Sequence, residues 1–147
     1  MTLSAVPQPP YLCIRNGISF WVETRPVTDV SATRQAYDEG CYQEVSCYDG
    51  SGRLWPVLTA TMSTDPFQRP AEGWWQRIVG PPPQFRVSLD VGPWRSVEVQ
   101  EIIACLTRIL QSNNEFCEDL PIVAAEILRQ FGAARTPDEI IRIASRC

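Results

Sequence analysis

The chain has 147 residues with 13 basic and 17 acidic side chains, which gives a formal net charge of −4. At this length a single domain is expected. The negative balance argues against nonspecific binding to nucleic acid or to an anionic membrane, and it favours a basic partner.

Every basic residue is an arginine, because lysine and histidine are both absent. Histidine is the usual general base and metal ligand near neutral pH, and lysine supplies Schiff bases and the cation of Walker-type phosphate loops. Their absence excludes Ser-His-Asp and Cys-His sites, zinc sites built on histidine and catalytic lysines. An arginine-biased genome is the favoured explanation for the missing lysine, and selection against lysine modification is the alternative.

The cysteines have no C-x-x-C spacing, so neither a metal site nor a redox motif is indicated, and we expect no cofactor. A charged leader followed by an apolar segment is missing, and no apolar run approaches the length that spans a bilayer. We therefore expect a cytoplasmic protein with free thiols, although a loaded effector would also lack such a signal. The cysteines are Cys13, Cys41, Cys47, Cys105, Cys117 and Cys147.

In chain order, residues 1–10 form a loose lead-in that precedes a first hairpin. Residues 11–15 and 18–24 flank Asn16-Gly17, the signal for a two-residue type I′ turn. On the second strand the alternation places Phe20 on the apolar face and Trp21 on the opposite one. Residues 25–40 have no clear period and are predicted as a loop with one short helical turn.

A second hairpin is predicted from 41–48 and 53–62 around residues 49–52, a turn rich in Asp, Gly and Ser rather than a calcium loop. Pro56 in the return strand predicts an edge position or a bulge. Residues 63–83 are rich in proline and predict a long loop of the kind that often binds partners. Alternation over 85–91 then predicts a fifth strand that ends at Gly92-Pro93.

From Ser96 onward the hydrophobic period changes from two to 3.6 and predicts three helices. The first has Ser96 as its N-cap and ends in the polar run 112–114. The second follows Pro121 and has Gly132 as its C′ residue. The third begins with Thr136 as N-cap and Glu139 closing a capping box, and it runs to the C-terminus.

These elements predict an α+β fold, because strands come first and helices afterwards. A mainly antiparallel sheet of about five strands, formed by the strand-rich part 11–92, is expected to pack against about three helices in 96–147. Residues 1–147 then make one domain.

Two adjacent tryptophans, Trp74 and Trp75, lie in the proline-rich loop. Large rings bury well, so one interpretation makes both of them a lid over an open face of the sheet. The other makes them the aromatic anchor of a protein interface, because tryptophan is enriched among residues that dominate binding energy.

Two groups of clustered acidic side chains bear on function. One group lies in the first turns of predicted helices, where the helix dipole favours negative charge. The other group has no such local explanation and would suit the surface of a basic partner. The second group consists of Asp38, Glu39, Glu44, Asp65 and Glu72.

We therefore predict a small acidic protein that binds another protein and is not an enzyme. Immunity proteins and antitoxins, which cover a basic toxin or effector surface with carboxylates and aromatic rings, are the class that fits best. A secretion chaperone or adaptor has similar composition. The competing hypothesis is a small-ligand binder or a hydrolytic enzyme with a pocket of Tyr, Arg and carboxylates between sheet and helices. A homodimer is compatible with each of these hypotheses.

Overall fold

The computed structural model describes residues 6–15, 18–67, 84–112 and 121–146, with backbone only at 65–67, 112 and 121–124. Within these residues the chain forms seven strands, four α-helices and one short 3-10 helix. The strands are β1 (Tyr11–Arg15), β2 (Ser19–Glu23), β3 (Val30–Thr33), β4 (Val45–Tyr48), β5 (Arg53–Phe67), β6 (Gln84–Val91) and β7 (Arg95–Ser96). The helices are the 3-10 helix Val27–Asp29, α1 (Arg34–Asp38), α2 (Val99–Ser112), α3 (Pro121–Ala133) and α4 (Pro137–Ala144).

All seven strands belong to one antiparallel sheet with the order β2-β1-β4-β5-β6-β3. β7 pairs with the beginning of β5 and continues the line of β6 after the interruption at Gly92-Pro93. The predicted α+β class, with a mainly antiparallel sheet and three C-terminal helices, is confirmed. The sheet has seven strands instead of about five.

The first hairpin forms as predicted, but its connection has a different length. Arg15 lies opposite Ser19, so three residues separate the strands and not the two of a type I′ turn. Asn16 and Gly17 themselves lie outside the described residues. The prediction that Phe20 and Trp21 face opposite sides of the sheet is confirmed, because the two side chains pack into different hydrophobic clusters.

The prediction of a loop over residues 25–40 is wrong, because this segment contains the 3-10 helix, β3 and α1. β3 is only four residues long and pairs with β6, with Val30 opposite Val87. Its residues do alternate between buried and half-buried, but four residues are too short a run to identify a strand from the sequence, so only the pairing with β6 establishes it. Thr33 then caps α1 by accepting a hydrogen bond from the Ala36 amide at 3.1 Å.

The second hairpin is confirmed, with two corrected boundaries. β4 begins at Val45, so residues 41–44 are a turn and Cys41 is not on the strand. β5 continues to Phe67, so the predicted loop starts later than residue 63, and residues 68–83 lie outside the described part of the chain. Pairing of Pro66 and Phe67 with β6 supports the extension.

The sheet separates two hydrophobic clusters, which we call the helix-side core and the inner core. In the helix-side core Leu12, Ile14 and Phe20 pack against residues of α2, α3 and α4, such as Phe131. The inner core is enclosed by the curled sheet itself, where residues of β1 and β4 meet β3 and β6. Both faces of β1 are therefore covered, which explains its continuous run of buried residues.

A β-bulge in β5 lies where the sheet bends. The register of β5 against β6 shifts between Val57 and Thr59, which leaves Leu58 outside the regular pairing. Bulges bend a strand and increase its local twist. The irregularity that Pro56 predicts is thus present, two residues further along the strand, and it leaves the Leu58 side chain 64% exposed.

The three C-terminal helices are confirmed, and their ends differ slightly from the prediction. α2 begins at Val99, because Ser96 is paired with Arg53 in β7 and does not cap the helix. α3 continues through Gly132 to Ala133, so this glycine is not the C′ residue. α4 ends at Ala144. No helix in the described part of the chain is long and apolar enough to span a membrane.

The cap of α4 forms as predicted, with Thr136 accepting a hydrogen bond from the Glu139 amide at 3.2 Å. The Glu139 carboxylate accepts from the amide of Arg135 at 3.0 Å.

Replacing Thr136 by Ala should therefore cost about 1 kcal/mol of unfolding free energy, measured by urea denaturation. Thr24→Ala, at an exposed threonine outside every helix and strand, is the control and should stay within about 0.5 kcal/mol of the wild type. Equal losses in the two variants would mean that the cap does not support the helix.

Candidate binding surface around Glu44

The turn that leads from α1 into β4 is built on a Schellman motif. The amide of Gly40 donates to the Tyr37 carbonyl at 3.0 Å, and the amide of Cys41 donates to the Ala36 carbonyl at 3.1 Å. Gly40 has φ 78°, the left-handed conformation that glycine adopts at the C′ position without steric cost. This motif reverses the chain after α1 and sets the direction in which residues 41–44 approach β4.

Glu44 is the last residue of this turn, and its backbone is also left-handed, with φ 58°. It is the only non-glycine residue with positive φ in the described part of the chain. For a residue with a Cβ this conformation costs about 1–2 kcal/mol. The Glu44 side chain is exposed, and within the described residues its carboxylate has neither a hydrogen bond nor an ion pair.

Glu44 separates two surface hollows and lines both of them. The α1-side hollow, of about 410 Å³, lies between the turn and β5 and is lined by residues that include Tyr37, Tyr42 and Leu58. The Tyr37 hydroxyl donates to the Ala60 carbonyl of β5 at 2.8 Å, so this wall of the hollow is fixed. The exposed Leu58 forms an apolar rim beside the unpaired carboxylate.

The α2-side hollow, of about 350 Å³, lies between the sheet and α2 and contains Glu44, Tyr48 and Arg108. Burial, and in smaller part the neighbouring Cys105 and Glu101, raise the pKa of Tyr48 to about 12. Tyr48 is therefore a neutral hydroxyl at physiological pH and can donate a hydrogen bond. Val57 lines both hollows, so the two share a floor at the bulge of β5.

The other acidic residues predicted for the partner surface are distributed unevenly. Asp38 and Glu39 lie at the end of α1 on the exposed surface, where Asp38 pairs with Arg34 at 3.5 Å and Glu39 accepts from Gln35 at 3.2 Å. Neither of them lines the hollows beside Glu44.

The remaining predicted site residues are not described by the structure. Asp65 lies on β5, with no side chain described. Glu72, Trp74 and Trp75 lie outside the described residues, so the choice between lid and interface anchor stays open.

A carboxylate that the sequence did not single out, Glu23, lies half-buried at the end of β2. Burial raises the pKa of Glu23, and the guanidinium of Arg25 opposes this shift. The pKa values of Tyr11 and Tyr42 are also raised, mainly by burial and in smaller part by Glu23. The Tyr11 hydroxyl donates to the Arg25 carbonyl and the Tyr42 hydroxyl to the Ser31 carbonyl, which joins β1 to the segment after β2 and the turn before β4 to β3.

The raised pKa of Glu23 predicts a pH-dependent cost to folding. The native state binds the proton of Glu23 more tightly than the unfolded state does. Stability therefore falls as the pH rises from 4.5, the ordinary pKa of a glutamate, to the higher pKa that Glu23 has in the folded protein. Glu23→Gln should therefore be more stable than the wild type at pH 7 and equal to it at pH 3, measured by urea denaturation. Glu39→Gln, at an exposed carboxylate, is the control, and a similar gain there would contradict a specific burial effect at Glu23.

Sequence reasoning identified Glu44 by its charge and missed the apolar part of the surface. Leu58 is exposed at the bulge and lines the α1-side hollow with Tyr37. Tyr48 and Arg108 line the α2-side hollow, so residues of several elements surround Glu44. No short-range pattern marks such a convergence. The described residues bring together no group of three or more Cys, Asp or Glu side chains that could hold a metal ion.

No family model, no curated protein and no solved structure matches the chain.

Proposed function

We propose that the chain is a protein-binding protein without catalytic activity, of the kind represented by immunity proteins and antitoxins. The surface around Glu44 covers a basic site of the partner. The observation that carries the proposal is the exposed Glu44 carboxylate, which has no partner among the described residues and is held in a left-handed backbone conformation between two hollows. Backbone strain of this kind is concentrated at functional sites, where the surrounding structure maintains it.

The chemistry of this surface defines the partner. A carboxylate without a partner among the described residues attracts and orients a cation. Forming the complex then costs little free energy, because no ion pair within the described part of the protein has to be broken. Leu58 beside it supplies an apolar contact that excludes water from the charge pair. A partner that presents arginine or lysine next to an apolar side chain satisfies both features.

Asp38 and Glu39 extend the negative charge along the end of α1. Because they are exposed and already have local partners, they belong to the rim of the surface, where charges act mainly on the rate of association. Asp65, Glu72, Trp74 and Trp75, whose side chains lie outside the described part of the chain, stay predicted members of the partner surface. Under this proposal the protein works in the cytoplasm, which fractionation of the source cells tests.

A photocrosslinking experiment in the source cells tests the proposal. Among the described residues two large apolar side chains are exposed, Leu58 at 64% and Ile18 at 44%, and they provide a matched pair of positions for a photoreactive amino acid. We expect a discrete adduct with a basic protein from position 58 but not from position 18. Glu44→Gln in the same background should weaken the adduct, because it removes the charge and keeps the side-chain size.

Two results would contradict the proposal. One is the same set of adducts from both positions, which would indicate nonspecific contact. The other is an adduct that survives Glu44→Gln and Glu44→Arg unchanged. An adduct with a secreted substrate protein in place of a toxin would identify a secretion chaperone or adaptor, the related function that shares this surface chemistry.

One observation favours a second candidate, a small-ligand binder or hydrolytic enzyme. The α2-side hollow holds a carboxylate, a tyrosine and an arginine between the sheet and a helix, which are the residue types that such a site needs. Native mass spectrometry of the purified protein tests it. A bound small molecule that is lost in Arg108→Gln would support this candidate over the protein-binding function.

A further inference from the structure

A pair of cysteines lies directly across two neighbouring strands in the inner core. Cys13 of β1 is the register partner of Cys47 of β4, and their sulfur atoms are 3.9 Å apart. Both side chains are fully buried. The four cysteines of the described residues are free thiols, and only these two are strand partners.

The backbone at this pair already has the geometry of a disulfide. Residues opposite each other on antiparallel strands have Cα atoms about 4.5 or 5.5 Å apart, depending on the hydrogen-bonding position. Disulfides connect Cα atoms about 4.4–6.8 Å apart. Rotation about the Cα–Cβ bonds is therefore enough to bring the sulfur atoms into bonding distance, without a shift of either strand.

We propose that Cys13 and Cys47 are an oxidative modification site that forms a disulfide between β1 and β4 by exchange with a small-molecule disulfide such as oxidised glutathione. One cysteine thiolate attacks the glutathione disulfide, forms a mixed disulfide and releases reduced glutathione. The second thiolate attacks the protein sulfur of that mixed disulfide and releases another reduced glutathione. Two protein thiols are oxidised, and one glutathione disulfide is reduced to two thiols.

The same burial determines when the reaction takes place. Exchange requires an accessible thiolate, and burial together with the neighbouring Cys47 raises the pKa of Cys13. The folded protein therefore protects the pair, and oxidation occurs when the chain folds or opens in an oxidising medium, since the reducing cytoplasm keeps thiols free. Once formed, the bond joins residues 34 positions apart and constrains the unfolded chain. A loop of this size lowers the unfolding equilibrium constant about 10²- to 10³-fold.

Peptide mapping of the full chain tests the proposal. The protein is refolded from urea in a buffer of oxidised and reduced glutathione, quenched with acid, alkylated and digested with trypsin. Cleavage after Arg15, Arg34 and Arg53 places Cys13 in peptide 1–15 and both Cys41 and Cys47 in peptide 35–53. We expect these two peptides to be disulfide linked in the wild type and equally in Cys41→Ser, which leaves Cys47 as the partner of Cys13.

A linkage that disappears in Cys41→Ser, a linkage of Cys13 to another cysteine, or fully free thiols at Cys13 and Cys47 would overturn the proposal. The oxidised wild type should also unfold at a higher urea concentration than the same sample after reduction, and an equal or lower midpoint would overturn it too. In the reduced native protein, the half-buried Cys41 and Cys105 should react with a thiol reagent before the buried pair. Equal reactivity of all four would contradict the protection by folding.

Discussion

Replacing Asp49 by Ala should destabilise the protein by about 3–5 kcal/mol, because this buried carboxylate satisfies three donors at once. Its Oδ1 atom accepts from the amides of Ser51 at 2.9 Å and Arg53 at 3.1 Å, and its Oδ2 atom accepts from Trp55 Nε1 at 3.0 Å. Alanine leaves all three donors without this acceptor inside the second hairpin. Urea denaturation measures the loss, and a loss below about 1 kcal/mol would contradict this role.

A double-mutant cycle separates the indole contact from the turn contacts. Asp49→Asn keeps one acceptor oxygen for the two amides but opposes the indole N–H with another donor. In a Trp55→Phe background this conflict is removed, so Asp49→Asn should cost less there than in the wild type. An equal cost in both backgrounds would mean that the Asp49–Trp55 bond contributes nothing to stability.

Phe131→Ala should cost about 3–5 kcal/mol, because it opens a cavity in the middle of the helix-side core. Phe131 is fully buried, and its ring meets Phe20 of β2 edge to face, with centroids 6.2 Å apart. This contact joins α3 to the first hairpin. Phe131→Leu is the matched control and should cost clearly less, because it keeps most of the volume. Similar losses in the two variants would show that the aromatic contact, and not the cavity, dominates.

The parts of the fold that the sequence predicts are those with a strong local pattern. β6 alternates over its whole length, with Val87 and Leu89 buried between exposed neighbours, and Thr136 with Glu139 marks the start of α4. In each case the pattern lies within a few neighbouring residues, although the burial of Val87 and Leu89 is supplied by distant residues of the inner core. The prediction therefore needs no knowledge of the tertiary contacts.

The parts that the sequence does not predict depend on distant pairing. β3 and β7 have four and two residues and become strands through β6 and β5. The continuation of β5 to Phe67 likewise requires its partner. The inner core forms because the sheet curls. The curl follows from the bulge in β5 and from the order of the strands, and local periodicity encodes neither of them.

The candidate site likewise has features that the sequence predicts and features that it does not. The sequence identifies Glu44 as a site residue because its charge has no helix-capping role. It does not predict the left-handed backbone at Glu44, because glutamate has no preference for that conformation. Leu58 lies within an apolar run that predicts burial, but it is exposed at the bulge of β5. A site assembled from a turn, a bulge and the face of a helix has no signature of its own in the sequence.

The conformation of Glu44 links stability and binding in opposite directions. Glycine adopts positive φ without the steric cost of a Cβ but loses about 0.5–1 kcal/mol of conformational entropy on folding. Because the left-handed glutamate costs about 1–2 kcal/mol, Glu44→Gly should leave stability unchanged or raise it by up to about 1.5 kcal/mol. Gln43→Gly, at the preceding exposed residue without positive φ, should lower stability.

The most direct test of the proposed function is to measure urea stability and affinity for the crosslinked partner in the same Glu44→Gly protein. We predict that Glu44→Gly is at least as stable as the wild type and binds the partner at least about tenfold more weakly. Glu44→Gln should lose a similar amount of affinity without gaining stability. A Glu44→Gly protein that is clearly less stable but binds the partner as well as the wild type would contradict the account, because Glu44 would then serve the fold and not the interface.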